Sequence, residues 1–320
     1  MVAAVPTRTL AVPGPTLAVV GPTATGKSAL ALELAERYGG EIVNADALQV
    51  YRGLDVGTAK PTAGERARVP HHLLDVVEPT ERFSAGDFAR RARAALAEIH
   101  GRGRLALVVG GSGFYLRALF AGLSPLPRAD PRLRRELRRR ARDEGPETLH
   151  AKLARVDPEA ASRLAPADVQ RVVRALEIVR LGGRPWGEQT ADRPLGHDPL
   201  PGVWIGLTLP RTVLYDRIEA RVGHMLERGW VAEVEGLLAR GVGRDAPAFQ
   251  AIGYRQLVRQ LRGELALESA VAEIVQATRR FAKRQITWFR KEPQVRWFDA
   301  RELASVFDFL ERDSRVDLQS

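Results

Sequence analysis

The 320-residue chain has no cysteine. Disulfides and thiolate metal sites are therefore excluded, and a reducing compartment suits the composition. No apolar run approaches the roughly 20 residues needed to span a bilayer, so no membrane is expected as a partner. Residues 1–15 carry Arg8 and three prolines and lack the continuous apolar stretch of a signal peptide. They read as a flexible leader, and a cytoplasmic location is expected. Lysine is scarce: five (27, 60, 152, 283 and 291) stand against 44 arginines among the 49 basic residues. Against these shortages, 45% hydrophobic and 28% charged residues describe an ordinary globular chain. Net charge is +10, and the pI is about 10.5. A basic surface favours a polyanion, nucleic acid being the common one, although a GC-rich genome alone produces such an arginine bias.

Short apolar runs alternate with helical patterns. Leu17–Val20, Glu41–Val43, Leu105–Val109, Val203–Leu209 and Val295–Phe298 read as strands, and Ala29–Tyr38 as a helix. Strands separated by helices predict a parallel sheet covered on both faces. Between residues 121 and 200 the strand signal disappears. Pro125, Pro127 and Pro131 open this stretch, followed by a basic helix with Leu133, Leu137 and Ala141 on one face. A second helix covers Val169–Leu181 and stops at Gly182-Gly183. Residues 182–201 look loop-like. The expected organisation is an α/β core over 16–120 and 201–310, a helical insertion over 121–200, and a tail over 311–320.

Gly21-Pro22-Thr23-Ala24-Thr25-Gly26-Lys27-Ser28 matches the phosphate-loop pattern and sits, as the pattern requires, between a strand and a helix. Its glycines let backbone N–H groups turn inward around phosphate oxygens, and the helix N-terminus adds positive potential. Lys27 offers a full charge, and the Ser28 hydroxyl can ligate Mg²⁺. This predicts a P-loop NTPase-like core that binds a diphosphate group. Two absences argue against nucleotide hydrolysis. There is no N-K-x-D guanine signature, and the third strand ends in Val109-Gly110-Gly111-Ser112 with no Walker-B carboxylate. Asp75 reads as structural or solvated. His71 and His72 imitate a metal pair but have no third ligand nearby, so they also read as structural.

Asp46 follows the second strand. Ligands of open parallel sheets sit beyond the C-terminal strand edge, where Asp46 can face the phosphate loop. A carboxylate there can take a proton from an attacking group, hold a metal-bound water, or simply cap a turn.

Taken in order, the phosphate loop, Asp46-Ala-Leu-Gln-Val-Tyr51, Gly57-Thr-Ala-Lys-Pro61, His71-His-Leu-Leu-Asp75 and Gly110-Gly-Ser-Gly-Phe-Tyr115 resemble the tRNA dimethylallyltransferases, the bacterial tRNA isopentenyltransferases. The resemblance continues through Gln170–Glu177, Leu214–Ile218, Gln250–Tyr254 and Thr278–Arg290, covering about residues 16–298. It implies transfer of a dimethylallyl group from dimethylallyl diphosphate to N6 of the adenosine 3′ to the anticodon, in tRNAs reading codons that begin with U. Diphosphate leaves, and Mg²⁺ is required. The implied catalytic residues are Asp46 as general base, Lys27, Ser112, Arg211 and Arg217, with Arg221 a third arginine one helical turn on. The loop 21–28 would hold the diphosphate. Asp46, Ala47, Leu48, Gln49, Gln170, Arg171, Val172, Val173, Arg174, Arg279, Arg280 and Lys283 fall on segments that meet tRNA. Read without the resemblance, Arg171 and Arg174 are equally ordinary helix-surface charges. Two family positions differ here: Ala47 replaces the usual Ser, and Ser112 the usual Thr. A monomer is expected. The rival readings are a P-loop small-molecule kinase using ATP and a nucleotide-gated RNA-binding protein.

Overall fold

The computed structural model of the chain describes residues 16–124, 126–191 and 199–316. The expected leader lies outside the described residues. Two compact units are present, one formed by residues up to Phe120 together with those from Leu200 onward, the other by Ala121–Pro199.

The first unit opens with β1 (Thr16–Val20), α1 (Lys27–Tyr38), β2 (Glu41–Asn44), α2 (Ala63–Arg68), β3 (His71–His72), α3 (Ala85–Gly101), β4 (Ala106–Val109) and α4 (Gly113–Phe120). Their six-stranded sheet has the order β3-β2-β4-β1-β5-β6, where β5 is Val203–Thr208 and β6 is Val295–Asp299. Every pairing is parallel. Each residue of β1 is buried, which is why Thr-Leu-Ala-Val-Val reads as a continuous run rather than an alternation. β3 went unread because it is two residues long. It is pinned to β2 by the pairings of Ile42 with His71 and Val43 with His72. The His72 ring also meets the buried Glu41 carboxylate at 2.7 Å, and the His71 ring meets the Val69 carbonyl. Both rings are thus anchored by protein partners, although His71 also lines the cavity described below.

The second unit holds α5 (Pro131–Asp143), α6 (Pro146–Val156), α7 (Pro158–Arg163), α8 (Val169–Gly182) and α9 (Trp186–Ala191). Its described residues contain no strand. The short α9 corrects the loop expected over 182–201. Its start is held by the buried Asp157 carboxylate, which accepts from Trp186 N–H at 2.7 Å, and the buried Gln189 amide donates to Ile178 and Arg184 carbonyls. Such tertiary bonds cannot be read from a glycine- and proline-rich composition. The core is the apolar stripe Leu133, Leu137, Ala141 packed on Leu149, Leu153, Val172 and Val173.

Within it, fully buried Glu177 accepts from Arg134, from Arg174 (2.6 Å) and from the Asp130 backbone N–H (2.9 Å). Removing this carboxylate strands two guanidiniums that are themselves mostly covered. Glu177→Ala is expected to destabilise the unit by about 3 kcal/mol, the lower end for a broken buried pair because both arginines retain some water contact. Denaturant unfolding reads the loss directly.

The remainder of the first unit adds α10 (Arg211–Glu227), α11 (Trp230–Ala239), a 3₁₀ turn (Pro247–Gln250), α12 (Tyr254–Leu261), α13 (Leu267–Phe289) and α14 (Ala304–Val316). The expected tail is therefore helical as far as Val316. Among the described residues no helix is long and apolar enough to cross a membrane.

Candidate active site

The connections leaving the C-terminal ends of β1, β2 and β4 converge on one cavity of about 420 Å³, within the usual range for small-molecule sites. The phosphate loop enters it through Thr23, Ala24, Gly26, Lys27 and Ser28. Ala24 at φ 66 and Gly26 at φ 90 bend the loop. Gly21 is demanded twice over: its φ is 133, and a Cβ would lie 2.5 Å from the Leu207 carbonyl oxygen. The turn is closed from inside, with the Pro22 carbonyl accepting from Thr25 Oγ1 at 2.9 Å and from Lys27 Nζ at 2.7 Å.

Lys27 is half-buried on the cavity wall. Burial lowers its pKa from 10.5 to about 7, the nearby Arg221 charge pushes the same way, and Asp46 opposes both. Burial also lowers Arg221, again opposed by Asp46. These three groups thus sense one another across the cavity that all three line.

Asp46 is oriented by backbone. Its Oδ1 accepts from Leu48 N–H at 2.8 Å, and its own N–H donates to Asn44 Oδ1 at 3.1 Å. Asn44 is itself buried and donates to the Leu73 carbonyl. These bonds orient the carboxylate without any side chain from position 47. The Ala47 N–H instead donates to Ser112 Oγ at 3.1 Å, which ties the end of β2 to the loop after β4. Ser112 is not part of the cavity wall; its neighbours Gly110 and Gly111 are.

Thr58, Ala59 and Lys60 form another wall, and the turn that precedes them is held from α11. The Glu233 carboxylate accepts from the N–H groups of Asp55 and Val56, each at 2.6 Å, and of Gly57 at 3.1 Å, while Tyr254 OH donates to it at 2.6 Å. A Cβ on Gly57 would meet the Trp230 ring at 1.9 Å. Buried Lys60 donates to the Tyr51 carbonyl, Asp55 and Asp75. Asp75 also binds Arg66 and is structural. Gln49 donates its amide to the Thr58 and Ala59 carbonyls and lines the cavity with its acceptor end to spare.

The arginines differ from expectation. Arg211 is exposed, stacked on Tyr215 and bonded to its hydroxyl. Arg217 is exposed on α10. Neither lines the cavity, whereas Arg221 and Arg228 do. The cavity meets α10 from its third turn onward, and Arg228 lies seven residues, two turns, beyond Arg221 on the same stripe. Sequence spacing alone does not say which turn of a helix reaches a site.

The expected tRNA contacts also divide. Val172 and Val173 are 0% and 1% exposed in the core of the second unit, so RNA cannot touch their side chains. Arg174 is committed to Glu177 and to the Pro127 carbonyl. Gln170 and Arg171 are exposed on the same helix. Leu48 packs against the apolar cluster around Trp230. On α13, Arg280 and Lys283 are exposed, while Arg279 is partly covered, pairing with Glu219 and lying over Tyr215. Two cavity residues on α13, Phe281 and Gln285, escaped the sequence reading as site residues. Periodicity marks them merely as inward-facing.

Among the described residues no group of three or more His, Asp or Glu side chains is placed to hold a metal. Ser28 Oγ, exposed at the first turn of α1 and lining the cavity, is a single oxygen donor. That fits Mg²⁺, which keeps several waters and takes most other ligands from substrate phosphates.

Comparison with known proteins gives this arrangement its relatives. The IPP transferase family pattern matches residues 49–292, and an isopentenyl transferase pattern matches residues 15–81. A tRNA dimethylallyltransferase of Geobacter metallireducens is 50% identical over 86% of this chain and 89% of its own. One from Thermomicrobium roseum is 49% identical over 87% and 84%. The crystal structure of a full-length tRNA isopentenylpyrophosphate transferase from Bacillus halodurans superposes with a TM-score of 0.69 at 41% identity, covering 95% of this chain and 99% of that one. A eukaryotic dimethylallyltransferase acting on tRNA reaches 0.76 at 27% identity, over 93% and 79%. With a matched pattern over most of its length and a phosphate loop facing Asp46 across one cavity, the chain belongs to the IPP transferase family.

Proposed function

We propose that the chain transfers a dimethylallyl group from dimethylallyl diphosphate to N6 of the adenosine 3′ to the anticodon, in tRNAs reading codons that begin with U. The carrying observation is the shared cavity: loop amides, Lys27 and Arg221 on one side, the Asp46 carboxylate on another. An allylic C–O bond breaks as negative charge builds on the leaving oxygen, and the loop amides, Lys27 and Arg221 stand where that charge develops. The N6 lone pair is delocalised into the adenine ring. Asp46 accepts the N6 proton as the N–C bond forms and the C–O bond breaks, releasing diphosphate. The Ser28 hydroxyl would supply one oxygen ligand to Mg²⁺, which when bound with the diphosphate would neutralise further charge on the leaving group. The exposed basic residues of α13 (Arg280, Lys283) and Gln170 and Arg171 of the second unit are the surfaces offered to RNA. The names of the relatives favour neither an ATP-dependent kinase nor a non-enzymatic RNA binder.

The test is incubation of the protein with an anticodon stem-loop RNA, dimethylallyl diphosphate and Mg²⁺, followed by mass analysis of the nucleosides. One adenosine should carry a dimethylallyl group in place of one hydrogen. Chelation of the metal should stop product formation, and readdition should restore it. Unmodified RNA, with ATP phosphate passed to a small molecule instead, would replace this reading with the kinase.

A further inference from the structure

Gln285 is an unusual residue for its position. It shares the buried stripe of α13 with Ala282 and Phe289, and it is 6% exposed. A side-chain amide there costs free energy unless both ends are hydrogen-bonded. Both are bonded, and neither to its own helix. Oε1 accepts from the Thr23 N–H of the phosphate loop at 2.9 Å. Nε2 donates to the Gly111 carbonyl, after β4, also at 2.9 Å. The fit is close: a Cβ on Gly111 would lie 2.0 Å from Nε2. Two residues away, a Cβ on Gly113 would lie 2.2 Å from the Trp288 ring, over which the Arg117 guanidinium lies.

The contacts continue past Gly111. The next residue, Ser112, accepts the Ala47 N–H, and Ala47 follows Asp46. One amide thus joins the leaving-group cradle to the strand end that carries the proton acceptor. The helix supplying that amide also exposes Arg280 and Lys283 within two turns of it.

We propose that Gln285 is a positioning residue: its amide fixes the phosphate loop relative to the Gly111–Ser112 segment and, through Ser112, relative to Asp46, so that leaving group and incoming nitrogen are held in register. This rests on the transfer reaction proposed above. Loss of register does not abolish binding of either substrate. It lets the C–O bond break without the adenine nitrogen in place, so that water attacks the allylic carbon. The water oxygen then bonds carbon, diphosphate leaves, and the water's proton passes to solvent.

The experiment measures diphosphate released and RNA prenylated in the same reaction, for wild type, Gln285→Met and Gln285→Glu. Melting temperature and RNA affinity are followed alongside. Methionine keeps the volume and removes both bonds. Glutamate keeps the acceptor for Thr23 and sets an oxygen against the Gly111 carbonyl, so it reads the same quantity if the methionine variant does not fold. For either variant kcat should fall about 10–10²-fold, the scale of an ångström-level misplacement. RNA affinity should be unchanged, and the ratio of diphosphate to prenylated RNA should rise above the wild-type value of one. Gly111→Ala should show the same uncoupling by displacing the amide. A folded Gln285 variant with full kcat and an unchanged ratio overturns the proposal, as does a loss confined to RNA affinity. A wild-type protein that makes no prenylated RNA overturns the transfer reading itself, and this one with it.

Discussion

An Asp46→Ala protein is expected to bind anticodon stem-loop RNA as the wild type does and to transfer the dimethylallyl group about 10²–10⁴-fold more slowly, the usual range for losing a general base. The split follows from the surroundings of the side chain. Its Oδ1 accepts one hydrogen bond, from Leu48 N–H, and the structural bonds that hold the segment are those between Asn44 and the Asp46 backbone and the one that Ala47 N–H donates to Ser112 Oγ. Truncation thus removes the proton acceptor while the loop keeps its anchors. Single-turnover transfer rates beside equilibrium RNA binding measure both quantities. Near-normal turnover in the variant would take the general-base role from Asp46.

Removing the Lys27 ammonium should have a comparable effect by a different route. Lys27→Ala is expected to lower kcat/KM about 10²–10³-fold, as for loss of one donor to a developing anion. Its pH signature is more specific. With its pKa near 7, Lys27 is mostly protonated below pH 7 and mostly neutral above it. A bound diphosphate favours the charged form, so binding above pH 7 takes up a proton. Donor affinity should accordingly fall as pH rises from 7, approaching tenfold per unit. In Lys27→Ala this part of the profile should be flat. Calorimetry in buffers of different ionisation enthalpy counts the proton taken up. No uptake in the wild type at pH 8 would show that the ammonium is already charged before the ligand arrives.

Much of the site was legible because its parts are contiguous in the chain. A phosphate loop is eight residues with its own geometry, and Asp46 sits at a strand end where parallel sheets place ligands. The parallel sheet was legible for a similar reason: strands covered on both faces are continuous apolar runs. What escaped depends on long-range packing. β3 exists because β2 lies beside it, and α9 because Asp157 caps it from nearly thirty residues away. Arg174 looked like an RNA contact until Glu177, three residues on, was seen buried beneath it. Arg221 and Arg217 differ by one helical turn, and only the tertiary placement of α10 distinguishes them. Gln285 lies 262 residues from the Thr23 amide it binds, a separation at which no local pattern carries information.

The Glu233 carboxylate has a consequence for how the chain handles anions. Three successive backbone amides at 55–57 form a concavity of the kind that captures phosphate or sulfate, but a side chain from α11 already fills it. Glu233 thus acts as a built-in competitor for these three amides. An anion that meets residues 55–57 finds their amides already satisfied, so this turn does not compete with the phosphate loop for a diphosphate.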